Sequence, residues 1–208
     1  MANSPLADVA LDEVVFEDGH LRHGLDRGRS LSIKEIMQAS DLEELVEQGK
    51  AAPSLLQMRK YVSYTHSAVF AEVRVDEQLG IVRIPKIVCA AAAGRIINPK
   101  TARSQILGGV VMGIGMALHE EGMTDHRLGK IMNHNIAEYH VPAHADVEDI
   151  EVIFVKEEDE KVSPLGVKGL GEIGIVGTAA AIANAIFHAT GKRVRSFPIT
   201  IDKILAAD

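Results

Sequence analysis

One short run holds residues that could do acid–base chemistry against a bound ligand: Lys168-Gly169-Leu170-Gly171-Glu172, followed by Ile173 and Gly174. Glycines let a chain turn tightly and bring its own N–H groups close to a ligand. The Glu172 carboxylate sits in that run, just ahead of a small-residue apolar segment, 175–190, that reads as a helix. A carboxylate so placed is a candidate general base. It is also where a first-turn acid would be stabilised by the helix dipole. Spacing alone leaves both roles open.

A second run precedes it: Gly94-Arg95-Ile96-Ile97-Asn98-Pro99-Lys100-Thr101, then Gln105-Ile106-Leu107-Gly108-Gly109. Asn98 followed by Pro99 has the chemistry of an N-cap with proline at the first helical position, which predicts a helix from here to about Glu121. Free N–H groups at its start, with the charges of Arg95 and Lys100, would seat a pyrophosphate or the phosphate end of a cofactor. Gln105 lies about two turns into the helix, and its amide can both donate to and accept from a heterocycle edge. Gly108, Gly109, Gly113 and Gly115 each cost about 1 kcal/mol relative to alanine in a helix, so they call for close approach by a cofactor or by another backbone. Packing against a second helix is the simpler of the two explanations.

In this order, the two runs resemble the molybdenum hydroxylases, the xanthine dehydrogenase and aldehyde oxidase family. The Gly-Arg-Ile-Ile-Asn-Pro run, Gln-Ile-Leu-Gly-Gly and Lys-Gly-Leu-Gly-Glu are similar to stretches in the C-terminal part of that family's molybdopterin-binding subunit. The resemblance implies an α+β fold of mixed sheets with packed helices. It implies Glu172 as the base that activates a water-derived oxygen toward an aldehyde or N-heterocycle. Cofactor contact is implied for Arg95, Ile96, Ile97, Asn98, Pro99, Lys100, Thr101 and Gln105, and for the loop backbone from Lys168 through Gly169 and Leu170 to Gly171. The implied cofactor is molybdenum–molybdopterin in its cytosine dinucleotide form, with [2Fe-2S] and FAD on partner chains and no metal ligand from this chain. The likeness runs from about residue 10 to 205, with residues 1–60 as an N-terminal strand and helix segment and 61–208 as the cofactor-contacting region of one partial domain. Upstream cofactor loops of the family's subunit have no counterpart here. The chain is therefore expected to be a separately encoded half or a truncated piece, active with the rest of the subunit and with iron–sulfur and FAD subunits. The rival readings are a non-catalytic interaction or regulatory domain of the same fold, and a nucleotide-phosphate binder. The Gly-Lys-Ser/Thr of a P-loop is absent, which weighs against the last.

Composition narrows the classes further. With 208 residues, 47% hydrophobic and 25% charged, the chain can bury a core of its own. A net charge of −7 without a basic cluster argues against nucleic acid. Cys89 is the single cysteine, so no internal disulfide and no four-cysteine iron–sulfur site can form, and electrons must leave through other chains. Residues 1–12 lack the pattern of a secretory signal, which predicts a cytoplasmic protein, or a periplasmic one if exported within a complex. The apolar stretch 173–190 contains Thr178, Asn184 and His188 and reads as a buried helix of a soluble protein.

The remaining elements are scaffold. Residues 13–24 predict a hairpin turning at Asp18-Gly19, Ser32 to Glu35 a capping box, and 41–48 a short helix stopped by Gly49. A loose connection is expected at 51–53. Alternation over 69–75 predicts a strand, a turn at 76–80, and a second strand over 81–93 in which Pro85 marks an edge or bulge and Cys89 is a buried thiol. His20 and His23 read as exposed hairpin residues. Gly122, Gly129 and Pro142 interrupt the stretch carrying His119, His126, His134, His140 and His144, so these read as surface or pocket-lining residues. Residues 150–155 predict a strand, 156–161 a solvated acidic turn, 195–201 a strand interrupted by Pro198, and 202–206 a last helical turn.

Overall fold

The computed structural model describes residues 4–49 and 59–207. The chain divides into two compact units, Met1–Ala52 and Pro53–Asp208.

In the first unit β1 (Val14–Glu17) and β2 (His20–His23) form the predicted antiparallel hairpin. Its turn has φ 51° at Asp18 and 72° at Gly19, the left-handed pair that an Asp-Gly two-residue turn supplies. β3 (Ser30–Ser32) pairs with β2 and leads into α1 (Ile33–Ala39). The capping box is present: Glu35 N–H donates to Ser32 Oγ at 3.1 Å, and Ser32 N–H to Glu35 Oε2 at 2.9 Å. The helix expected over 41–48 does not form. Asp41 turns into the left-handed region directly after α1, and Leu42, Leu45 and Val46 remain exposed. Two helical turns without an apolar partner cannot offset the nucleation penalty. The connection at 51–53 lies outside the described residues.

The second unit is built on a mixed sheet in the order β4 (His66–Asp76), β5 (Ile81–Ala92), β8 (Asp149–Phe154), antiparallel then parallel. Pro85 lies on the central strand, where the register jumps from Glu72↔Lys86 to Arg74↔Arg83. Ile84 and Pro85 therefore face Val73 alone, and pairing with β8 begins only at Lys86, so the missing N–H removes no ladder bond. One face of the sheet, with Ile87, Cys89 and Ala91, packs on α2 (Pro99–Leu118) through Ile106, Val110 and Ile114, and on α4 (Thr178–Thr190) through Ile182 and Ile186. Burial pushes the Cys89 thiol up.

α2 stops at Leu118, a turn short of the expected end. The 173–190 stretch is not one buried helix: α3 (Ile173–Val176) breaks at Gly177, and α4 buries one face while Phe187 stays exposed. No strand forms over 195–201. Pro198 has no N–H to give, and Ile199 N–H donates instead to Ala117 O at 2.6 Å, fastening this stretch to the end of α2 ahead of α5 (Ile201–Ala206). Between α2 and β8 a small hairpin, β6 (Thr124–Asp125) and β7 (Lys130–Ile131), is held by the buried Asn133, which donates to Glu121 O and accepts from Met123 N–H. His126, His134, His140 and His144 are exposed.

Candidate cofactor site

The residues singled out in sequence come from stretches some 70 positions apart, and the fold stitches them together. Gly94 and Val167 form an antiparallel bridge, Arg95 N–H donates to Gly166 O at 2.8 Å, and Lys168 N–H to Ala93 O at 3.2 Å. Gly94 has φ 66°, and a Cβ there would collide with the Gly166 carbonyl, so glycine is required. On the other side the loop runs along α2. A Cβ on Gly174 would lie 2.7 Å from Ile106 O, and one on Gly109 3.0 Å from Ile175 N. This close approach leaves Gln105 beside the loop, with the Cβ position of Gly171 3.9 Å from Gln105 Oε1.

The helix glycines separate into two kinds. Gly109 meets the α3 backbone, Gly113 meets Thr178, and Gly115 meets Glu120 and Pro142, so packing accounts for all three. Gly108 is exposed and a Cβ there would touch nothing within 4 Å. It lies one turn from Gln105 on the same side of the helix.

The loop itself is held from below. Thr65 Oγ donates to Gly169 O at 2.6 Å, and Ser67 Oγ to Ile173 O at 3.3 Å. The N–H groups of Gly169, Leu170, Gly171 and Glu172 donate to no acceptor among the described residues. Glu172 is exposed at the N-cap of the four-residue α3 and makes no side-chain cap bond, so capping does not explain it.

Two expectations are corrected by this geometry. The start of α2 does not offer the free N–H groups foreseen: Asn98 Oδ1 accepts from Lys100 N–H (3.1 Å) and Thr101 N–H (3.2 Å), and Pro99 has none. The positive charge that remains at this end comes from the exposed Arg95 and Lys100 side chains, which have no ion-pair partner among the described residues. The acidic turn at 156–161 is not simply solvated. Lys168, its side chain only 6% exposed, places Nζ 2.6 Å from Glu157 Oε1 and 3.0 Å from Asp159 Oδ2. Glu157 Oε2 also accepts Gly94 N–H at 2.8 Å. Lys168 holds the carboxyls of Glu157 and Asp159 below the usual range, and Glu157 foremost raises Lys168. The ammonium of Lys168 is thus committed within the protein. A cleft of about 540 Å³ opens beside these groups, between Arg95, Glu157 and Leu165, but Glu172, Gln105 and the 169–171 backbone are not among its walls.

Glu157, Asp159, Thr65 and Ser67 were missed in the sequence. The one available signal was charge: an acidic turn a few residues ahead of a lysine in a glycine-rich loop.

Residues 2–148 match the family described as Molybdopterin cofactor-binding domain. The chain is 45% identical over 192 residues to the aldehyde oxidoreductase molybdenum-binding subunit PaoC of Escherichia coli, a match covering 91% of this chain and 25% of that protein. It is 32% identical to the probable hypoxanthine oxidase XdhD of the same organism, across 100% of this chain and 21% of that one. Among solved structures, the aldehyde oxidoreductase of Desulfovibrio desulfuricans superposes with TM-score 0.62 and 32% identity, covering 69% of this chain and 15% of that chain. The chain belongs to the xanthine dehydrogenase/aldehyde oxidoreductase family, in its molybdopterin-binding portion. It spans about a quarter of the length of the PaoC relative. Its α+β fold is that of the family's molybdenum-binding domains, to which quinoline 2-oxidoreductase of Pseudomonas putida adds a TM-score of 0.73 at 21% identity, over 96% of this chain and 26% of that one.

The surface around Gln105 suits such a cofactor. Undonated loop N–H groups, an exposed amide, and glycines at 108 and 169 whose missing Cβ leaves open space make it rich in donors and uncrowded. A pterin carries nitrogen and oxygen acceptors along its edge, which is what such a surface can hold.

Proposed function

We propose that this chain supplies part of the active site of a molybdenum hydroxylase that oxidises an aldehyde, or in second place an N-heterocycle, with oxygen drawn from water. The observation that carries this reading is the exposed Glu172 carboxylate at the end of a loop with undonated N–H groups, beside Gln105. The 45% identity to an aldehyde oxidoreductase subunit is what ranks aldehydes first.

In this reading Gln105 and the 169–171 backbone hold the pterin, while the 95–101 stretch, with its Arg95 and Lys100 charges, faces the phosphate end of a cytosine dinucleotide form. When bound, molybdenum–molybdopterin supplies the two-electron redox chemistry. Glu172 takes the proton from the water-derived oxygen that attacks the substrate carbon, and its place at the end of a fixed loop keeps that carboxylate oriented. Electrons leave through [2Fe-2S] and FAD on partner chains. The rest of the molybdopterin-binding subunit is a further partner and shapes the substrate pocket.

The test is to purify the chain with the products of its neighbouring genes and measure molybdenum, pterin and released cytidine nucleotide alongside turnover. Stoichiometric pterin with faster turnover of aldehydes than of N-heterocycles is expected. A stable complex without pterin or molybdenum would instead identify a non-catalytic domain of the same fold.

A further inference from the structure

We infer that Glu157 is a positioning residue for the cofactor surface, one carboxylate that ties the 94–101 stretch to the Gly-Glu loop. The inference rests on the functional reading above. Its two oxygens have separate tasks: Oε2 accepts Gly94 N–H at 2.8 Å and Oε1 accepts from Lys168 Nζ at 2.6 Å. Gly94 is the root of the stretch that runs through Arg95 to Thr101, and Lys168 is the root of the loop that ends in Glu172. Between these roots the backbone offers one isolated bridge, made by two hydrogen bonds, too little to fix a register alone.

The Lys168 side chain, at 6% exposure, makes the arrangement discrete. A nearly buried charge must stay paired, so Lys168 has one stable place rather than several. Asp159 fixes the far side of that place. Its Oδ2 is the second partner of Lys168, while its Oδ1 accepts Lys161 N–H (3.0 Å) and Val162 N–H (3.2 Å), making its own turn rigid. Glu172 follows Lys168 by four residues, and Thr65 pins Gly169 in between. Displacing Lys168 therefore displaces the loop that carries the base.

The change Glu157→Gln isolates this function, because an amide has one acceptor oxygen where the carboxylate has two. It can serve Gly94 or Lys168 but not both. Hydrogen exchange on the full chain is expected to quicken by about tenfold or more in peptides covering 93–96 and 166–172, the effect of losing one charge-assisted bond, with the β5 and α4 core unchanged. In the assembled complex, molybdenum and pterin content is expected to fall several-fold. Glu158→Gln, at a neighbouring side chain 81% exposed, is expected to change neither. Unaltered exchange in both segments overturns the inference. Faster exchange with full cofactor content also overturns it, since the clamp would then serve folding alone. If the single variant unfolds, Glu157→Gln with Lys168→Gln removes the unpaired ammonium. Restored stability with low cofactor content supports positioning, and restoration of both overturns it. An unaltered complex that binds no pterin defeats the functional reading, and this inference with it, before any variant is compared.

Discussion

Gly108 and Gly113 occupy one helix, yet adding a methyl group to each has opposite expected results. At Gly113 the new Cβ would lie 2.5 Å from Thr178 Cβ, inside a packed contact, so Gly113→Ala is expected to destabilise the chain by about 1–3 kcal/mol, read as a lower urea midpoint. At Gly108 nothing stands within 4 Å, so Gly108→Ala should stabilise the bare chain by up to about 1 kcal/mol through helix propensity. If the proposed cofactor surface is right, the same methyl in the assembled complex is expected to lower pterin content. A stabilised variant with full pterin content would remove Gly108 from that surface. Sequence showed the acid, the amide and the glycine runs because their chemistry is written in consecutive residues. It could not show which glycine met a helix and which met open space. Nor could it show Thr65 beneath Gly169, a partner 104 positions away, or Glu157 under Gly94, 63 positions away.

Elements with a local cause were the readable ones. The Asp-Gly hairpin, the Ser32 box and the Asn98 cap all formed where turn and cap chemistry placed them. The expected 41–48 helix finds no apolar partner among the described residues, and the expected 195–201 strand is replaced by a stretch whose Ile199 N–H bonds to the end of α2 after Pro198. The Asn98 cap carries a testable energy: Asn98→Ala is expected to lose about 0.5–2 kcal/mol in denaturant titration, and no loss would mean the cap is idle. The Lys168 cluster carries a pH dependence. Glu157 and Asp159 are lowered, so their contribution is present above the ordinary carboxylate range and is lost as pH falls through their folded values. Lys168 is raised, so its contribution is present below the ordinary lysine value and is lost as pH rises through its folded one. The loop is thus expected to stay held across neutral pH and to loosen only as pH falls below the ordinary carboxylate range, with the partial exposure of both acids damping the effect. Exchange in 166–172, corrected for its intrinsic pH dependence, checks this, and a loop that loosens near pH 6 would contradict it.

At the scale of the whole molecule, the chain corresponds to about a quarter of its PaoC relative, and several large apolar side chains lie open. Met112 and Met116 lie along α2, and Phe70 is 65% exposed on the sheet. Exposed apolar surface of this kind is where a partner subunit would dock. Expressed alone, the chain is expected to hold little molybdenum and to bind the product of a neighbouring gene in sizing and pull-down experiments. Monodisperse monomers with no such affinity would count against that. The assembled complex also permits the most direct test of the central claim, that Glu172 is the base. Glu172→Gln keeps volume and shape while removing the proton acceptor. Reductive half-reaction kinetics, normalised to molybdenum so that cofactor loss is not mistaken for lost chemistry, are predicted to slow by about 10²- to 10⁴-fold. A variant within about threefold of the unaltered complex per molybdenum would contradict the account.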